Sequence, residues 1–138
     1  MKAKFIRFFL VTLGCILLYS TQLTAQTAKP EVILKFKRQD NGKIAMINAV
    51  GQKVFNFEVS GLATQTDVSN FKSKFEGRQG LVSLTISNAE AATDRSGTFI
   101  FERGTKGSYL RDLLIKAGIK TIYIDGVAYS VDELGKDN

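Results

Sequence analysis

Apolar and polar residues alternate along several short stretches of this chain and recur at helical spacing in two others. From Val32 to Arg38, Val32, Leu34 and Phe36 alternate with Ile33, Lys35 and Lys37, the pattern of a half-buried strand. Asp40-Asn41-Gly42-Lys43 is a turn signal, because Asn-Gly tolerates the positive φ angles of tight hairpins. Ile44 to Val50 is then the expected return strand, closed by Gly51-Gln52. Val54 to Val59 alternates more sharply, with Phe55, Phe57 and Val59 on one face. Val68, Phe71 and Phe75 fall at i, i+3 and i+7 and predict a helix over 65–76, stopped by Gly77. Leu81 to Ser87 is the next strand, with Val82, Leu84 and Ile86 inward. Asn88 to Gly97 reads as a polar connection, and Thr98 to Arg103 as a strand with Phe99 and Phe101 inward. Leu110, Leu113, Leu114 and Ala117 predict a second helix over 106–117, stopped by Gly118. Ile119 to Ile124 follows as a strand with Ile122 and Ile124 inward, and Asp125-Gly126 turns into a short extra strand, Val127 to Val131.

From Val54 the order is β-α-β-β-α-β. Each strand has one apolar face and each helix one apolar stripe. Two helices on one face of an antiparallel sheet bury both, which predicts an α+β, ferredoxin-like βαββαβ sandwich. The N-terminal β-hairpin is extra, and is expected to extend an edge of that sheet or to pack across its open face. The implied organisation is a signal peptide over 1–25, a leader and hairpin over 26–53, the βαββαβ domain over 54–131 and a C-terminal tail over 132–138.

The signal assignment rests on the start of the chain. Lys2, Lys4 and Arg7 precede an apolar run from Phe8 to Tyr19, and the sequence then turns polar up to Ala25. This is the three-part pattern of a secretory signal, with cleavage expected after Ala25. The run is shorter than the roughly 20 residues a spanning helix needs. Thr12-Leu13-Gly14 before Cys15 fits a lipobox poorly. Cleavage would leave 113 of the 138 residues and lower the net charge from +6 to +3, because the removed segment holds three basic residues and no acidic ones. That suits one domain with a modest core, and the remaining charge argues only weakly for a nucleic acid or membrane partner. The expected location is periplasmic or secreted, with no stable membrane insertion once the signal is gone.

The chain contains no histidine, and its only cysteine is Cys15 in the apolar run. Imidazole and thiolate are the usual soft metal ligands, bases and nucleophiles. Their absence from the mature chain removes most metal sites and most hydrolase triads, and leaves the domain to be held by packing without a disulfide.

At Val59-Ser60-Gly61-Leu62-Ala63-Thr64-Gln65-Thr66-Asp67 the chain resembles the heavy-metal-associated domain family. The likeness continues through Phe75-Glu76-Gly77 and Leu81 to Ile86, and returns at Leu113-Leu114-Ile115-Lys116-Ala117-Gly118-Ile119, covering about Val54 to Asp125. The resemblance implies a ferredoxin-like fold and, in the family, a Met-x-Cys-x-x-Cys metal loop. Here Leu62 stands at the Met, Thr64 at the first Cys and Asp67 at the second. A hydroxyl and a carboxylate do not replace the soft thiolates that select Cu(I). Thr64 and Asp67 are therefore degenerate ligand positions. They also fit the Thr-x-x-acid capping box of a helix start, and one carboxylate is too few for Ca²⁺.

Other chemistries find less support. Lys35, Lys37 and Arg38 read as a solvated basic strand that resists edge-to-edge pairing. An RNA-recognition module would stack bases on aromatics of its open sheet face. Here the phenylalanines lie on the helix-covered face, and only Ile100 and Tyr123 stand out opposite. An acylphosphatase-like enzyme would need a glycine-rich cradle and an arginine that Ser60-Gly61-Leu62-Ala63 lacks, and Asp94 and Arg95 are expected to face solvent in the polar connection. No carboxylate pair is positioned for acid and base roles. The expectation is a non-catalytic binding or interaction module without a cofactor, its partner a protein of the cell envelope and not a nucleic acid. A metal-handling protein using other ligands is the alternative, and a small enzyme the third reading.

Overall fold

The computed structural model describes residues 30–88 and 94–135. The predicted signal segment and its cleavage point lie outside these residues. Among the described residues seven strands form one mixed sheet: β1 (Ile33–Phe36), β2 (Met46–Ile47), β3 (Lys53–Ser60), β4 (Leu81–Ile86), β5 (Asp94–Phe101), β6 (Thr121–Ile124) and β7 (Val127–Ser130). Helix α1 (Gln65–Ser73) joins β3 to β4, and α2 (Tyr109–Lys116) joins β5 to β6. Among the described residues no helix is long and apolar enough to cross a membrane.

The strand order β4-β5-β3-β1-β6-β7 overturns the expected ferredoxin-like sandwich. The two helical crossovers are present, but β1 is inserted between β3 and β6, antiparallel to the first and parallel to the second. The sheet is therefore mixed, and the strand expected on an edge or across the open face is an interior one. The physical reason is burial on one side only. Leu34 and Phe36 are almost wholly buried and line up with Val59 and Phe57 on one side and with Ile122 and Ile124 on the other. A strand with one apolar face gains most where it has a covered face and two ladders to complete.

Nor is there an N-terminal hairpin, since β1 and β2 pair with β3 and not with each other. They lie in tandem along one edge of β3, which pairs with β5 over its full length on the other edge. The Asn-Gly turn forms, with Gly42 at φ +74° and Lys43 N–H donating to Asn41 Oδ1. It closes an excursion of the chain, after which β2 resumes pairing along β3. The boundary expected between residues 53 and 54 falls within β3, which pairs with the strands on either side of it in a single sheet.

One face of the sheet carries the core. Phe55, Phe57 and Val59 of β3 and Phe99 and Phe101 of β5 are buried there, beneath Val68, Phe71 and Phe75 and beneath Leu110, Leu113 and Leu114. Phenylalanine rings run through it as a connected set: Phe36 to Phe57 (5.9 Å), Phe57 to Phe99 (4.8 Å), Phe99 to Phe75 (5.3 Å) and Phe75 to Phe71 (5.0 Å). Such tilted and offset pairs add about 0.5–1.5 kcal/mol each beyond burial. Helix α1 starts on Thr64, whose hydroxyl accepts from Asp67 N–H while the Asp67 carboxylate accepts from Thr64 N–H, the capping box anticipated above. Helix α1 ends at Ser73, but Phe75 in the following turn is still buried. In β4 a bulge between Leu81 and Ser83 leaves Val82 half-exposed, so Leu81, Leu84 and Ile86 face the core in place of the expected Val82, Leu84 and Ile86.

Gly97 sits in β5 directly opposite Phe57, and a Cβ there would come 2.3 Å from the ring's Cζ. The missing side chain is the space in which that ring lies. Gly97→Ala should lower stability by about 1–3 kcal/mol through overpacking. In urea denaturation its cost should combine less than additively with Phe57→Leu, because the smaller residue vacates the contested space. Full additivity would contradict this packing.

Candidate functional site

Among the described residues the second face of the sheet bears no helix, and the register sets its side chains in rows. Thr85, Thr98 and Asn56 follow one another across β4, β5 and β3, with Lys37 just past the end of β1, and Ser96, Glu58, Lys35 and Tyr123 form the next row across β5, β3, β1 and β6. Short residues in the middle and longer ones around them leave a groove of about 820 Å³, lined by Lys35, Lys37, Arg38, Asn56, Glu58, Ser96, Thr98, Tyr123 and Asp125 among others.

The polar groups of this face hold one another. Lys35 Nζ donates to Asp94 Oδ2 at 2.6 Å, and Ser60 Oγ donates to Asp94 Oδ1 at 2.5 Å. Lys35 and Ser60 together hold the Asp94 carboxyl below its ordinary pKa. Thr98 Oγ1 donates to Asn56 Oδ1 at 2.9 Å. Arg38 grips Asp125 twice, through its backbone N–H at 3.0 Å and through Nη1 at 2.9 Å. The side chains of Tyr129 and Asp125 raise the guanidinium's pKa further. Asp125 itself sits at φ 52° before Gly126 at φ 82°, the Asp-Gly signature of a two-residue hairpin, here joining β6 to β7. Lys37 and Glu58 are 3.9 Å apart with the lysine 82% exposed, a pair that contributes little.

Asp94 and Arg95 depart from expectation. Both belong to β5, which begins four residues before the strand predicted at Thr98. Arg95 points to the core side and is only 3% exposed. Its Nε donates to Leu62 O at 2.8 Å, Nη1 to Ser87 O at 3.2 Å and Nη2 to Ala63 O at 3.4 Å. The buried guanidinium thus meets backbone carbonyls, ties the β3–α1 loop to the end of β4, and supports the loop from which Thr64 caps α1. A signal for it was present: the inward alternation of Phe101 and Phe99 continues through Gly97 to Arg95.

Thr64 and Asp67 are brought together as the loop alignment implied, with Thr64 Oγ1 donating to Asp67 Oδ2 at 2.8 Å, and Leu62 is buried below them. Thr64 is exposed and Asp67 half-buried, and both are hard oxygen donors engaged with the helix start. Among the described residues no three of His, Cys, Asp and Glu are grouped so as to hold a metal ion. A second cleft of about 510 Å³ lies between Gly77–Gly80 and the start of α2. There the Tyr109 hydroxyl donates to Gln79 O, and burial raises its pKa.

No family model matches this chain, and comparison with curated proteins and with solved structures likewise finds no match.

The Asp94 contacts have a pH signature. A carboxylate whose folded pKa is depressed contributes stability that is present above its unfolded pKa, about 3.9, and is lost as pH falls through the folded value. A carboxyl NMR titration should give Asp94 a midpoint below that of an ordinary aspartate, and Lys35→Met should move it upward. An Asp94 midpoint unchanged by the substitution would contradict the assigned pairing.

Proposed function

We propose that this chain is a non-catalytic binding module that works outside the cytoplasm, in the periplasm or secreted, and takes a protein partner on the uncovered face of its sheet. The N-terminal basic, apolar and small-residue pattern supports export. The observation that carries the binding role is the 820 Å³ groove, in whose lining Lys35, Arg38, Asp125, Asn56 and Thr98 are already fixed in position by hydrogen bonds. Groups held in this way lose little freedom on binding, which is what preorganised recognition requires. The mixed signs on the rim, Lys35, Lys37 and Arg38 beside Glu58, Asp94 and Asp125, suit a partner surface that itself alternates in charge.

The metal-handling alternative would have to use ligands other than the degenerate positions Thr64 and Asp67, which serve the helix cap. Chelator competition on the processed chain separates the two readings, since stoichiometric retention of a metal ion belongs only to the alternative.

The binding role is tested by cross-linking the protein to its own envelope fraction through Lys35 and Lys37. Ser96→Arg should fill the groove floor without touching the core, because Ser96 is exposed. The expected result is one cross-linked protein that disappears with Ser96→Arg while the melting temperature stays unchanged. Equal capture by the folded variant, or cross-links confined to the helix side, would overturn the reading.

A further inference from the structure

The turn between β2 and β3 is organised by one side chain. Asn48 Oδ1 accepts from Val50 N–H at 3.2 Å and from Gln52 N–H at 2.9 Å, while its Nδ2 donates to Gln52 Oε1 at 2.8 Å. Gly51, at φ +82°, closes the loop by donating to Asn48 O at 3.0 Å. The ordered turn presents Ile47 at 62% and Val50 at 67% exposure, the two most exposed large hydrophobic side chains among the described residues, side by side at one tip.

Cations accompany them. The Arg103 side chain lies against Gly51, where a Cβ would meet its Cδ at 3.1 Å. Lys53, paired with Ile47 across the hairpin, donates to Thr105 O and so ties the hairpin to the turn after β5. On the uncovered face Lys35, Lys37 and Arg38 all have carboxylate partners, whereas among the described residues neither Lys53 nor Arg103 is in an ion pair. The neighbouring Glu102 instead lines the cleft beside Arg78 and Tyr109.

We propose that this hairpin tip is a membrane-surface contact, in which Ile47 and Val50 enter the interface of an anionic bilayer and the exposed Arg103 meets the lipid headgroups, with Lys53, held on Thr105 O, adding positive charge behind them. Charge complementarity selects this occupant. Apolar side chains on a turn beside unneutralised cations match a surface that is apolar inside and negative outside. The contact is peripheral and reversible, and is distinct from spanning the bilayer.

The natural chain has no tryptophan, so Val50→Trp supplies a single reporter at the tip. Val127→Trp, on β7, is the control. Both are made in the chain beginning at Gln26, which contains every described element and lacks the apolar N-terminal run. With vesicles of phosphatidylglycerol and phosphatidylcholine, the emission of Val50→Trp should shift to the blue and that of Val127→Trp should not. Raised salt or pure phosphatidylcholine should weaken the shift. In flotation with the same anionic vesicles, Ile47→Ser with Val50→Ser should lower the bound fraction about tenfold or more, given the transfer free energy of two aliphatic side chains. An unshifted Val50→Trp emission overturns the proposal, as does equal binding by the folded double-serine variant. A dimer that the double-serine substitution dissociates, seen by sedimentation, would assign the tip to a second copy of the chain and also overturn it.

Discussion

Everything in this molecule depends on the place of β1 between β3 and β6. Four residues, Ile33–Phe36, complete two ladders at once, one antiparallel and one parallel. Without them β3 and β6 would each present an unpaired edge in the middle of the molecule, and Phe36 would leave the ring set that runs through Phe57 to Phe99. The same insertion carries Lys35 to the uncovered face, where it reaches across β3 to Asp94. Core and groove are thus two faces of one strand.

Much of the local structure was legible in the sequence. Periodicity located both helices, the inward residues of β3 and β6, the Asp-Gly hairpin and the Thr64 cap, because each is decided by neighbours within a turn or a strand. The pairing partners of β1 were not legible. Alternation of Val32, Leu34 and Phe36 says that one face is buried but not which strands flank it, and parallel pairing leaves no turn signature. The Asn-Gly turn encouraged a hairpin reading, since the chemistry that closes a hairpin also closes an excursion between two strands on the same edge. Val82 was read inward because a bulge shifts the alternation by one residue without changing the composition. The start of β5 was missed for a different reason. Arg95 and Gly97 fall on its buried face, and neither has the apolar side chain by which an inward position is recognised.

The candidate site was legible in part. Its residues fall on the polar face by alternation alone, since Asn56, Glu58 and Thr98 alternate with the inward Phe55, Phe57, Val59 and Phe99, and Tyr123 with Ile122 and Ile124. Their assembly into a groove required the strand order, because Lys35 and Asp94 are separated by β3 and by 59 residues of chain. The loop at Thr64 and Asp67 illustrates the converse. The two side chains meet as aligned, but they spend their hydrogen bonds on the helix start. The functional proposals therefore rest on surfaces that the fold builds, the polar groove and the apolar hairpin tip, and not on a local motif.

The interior position of β1 is tested most directly by native-state hydrogen exchange. In an interior strand the amides open only with the core they belong to. The account predicts that amides of Ile33–Phe36 engaged in the sheet are protected as strongly as those in the centres of β3 and β6, and are lost with them in one global event. Rapid exchange throughout Ile33–Phe36 while β3 and β6 stay protected would contradict it.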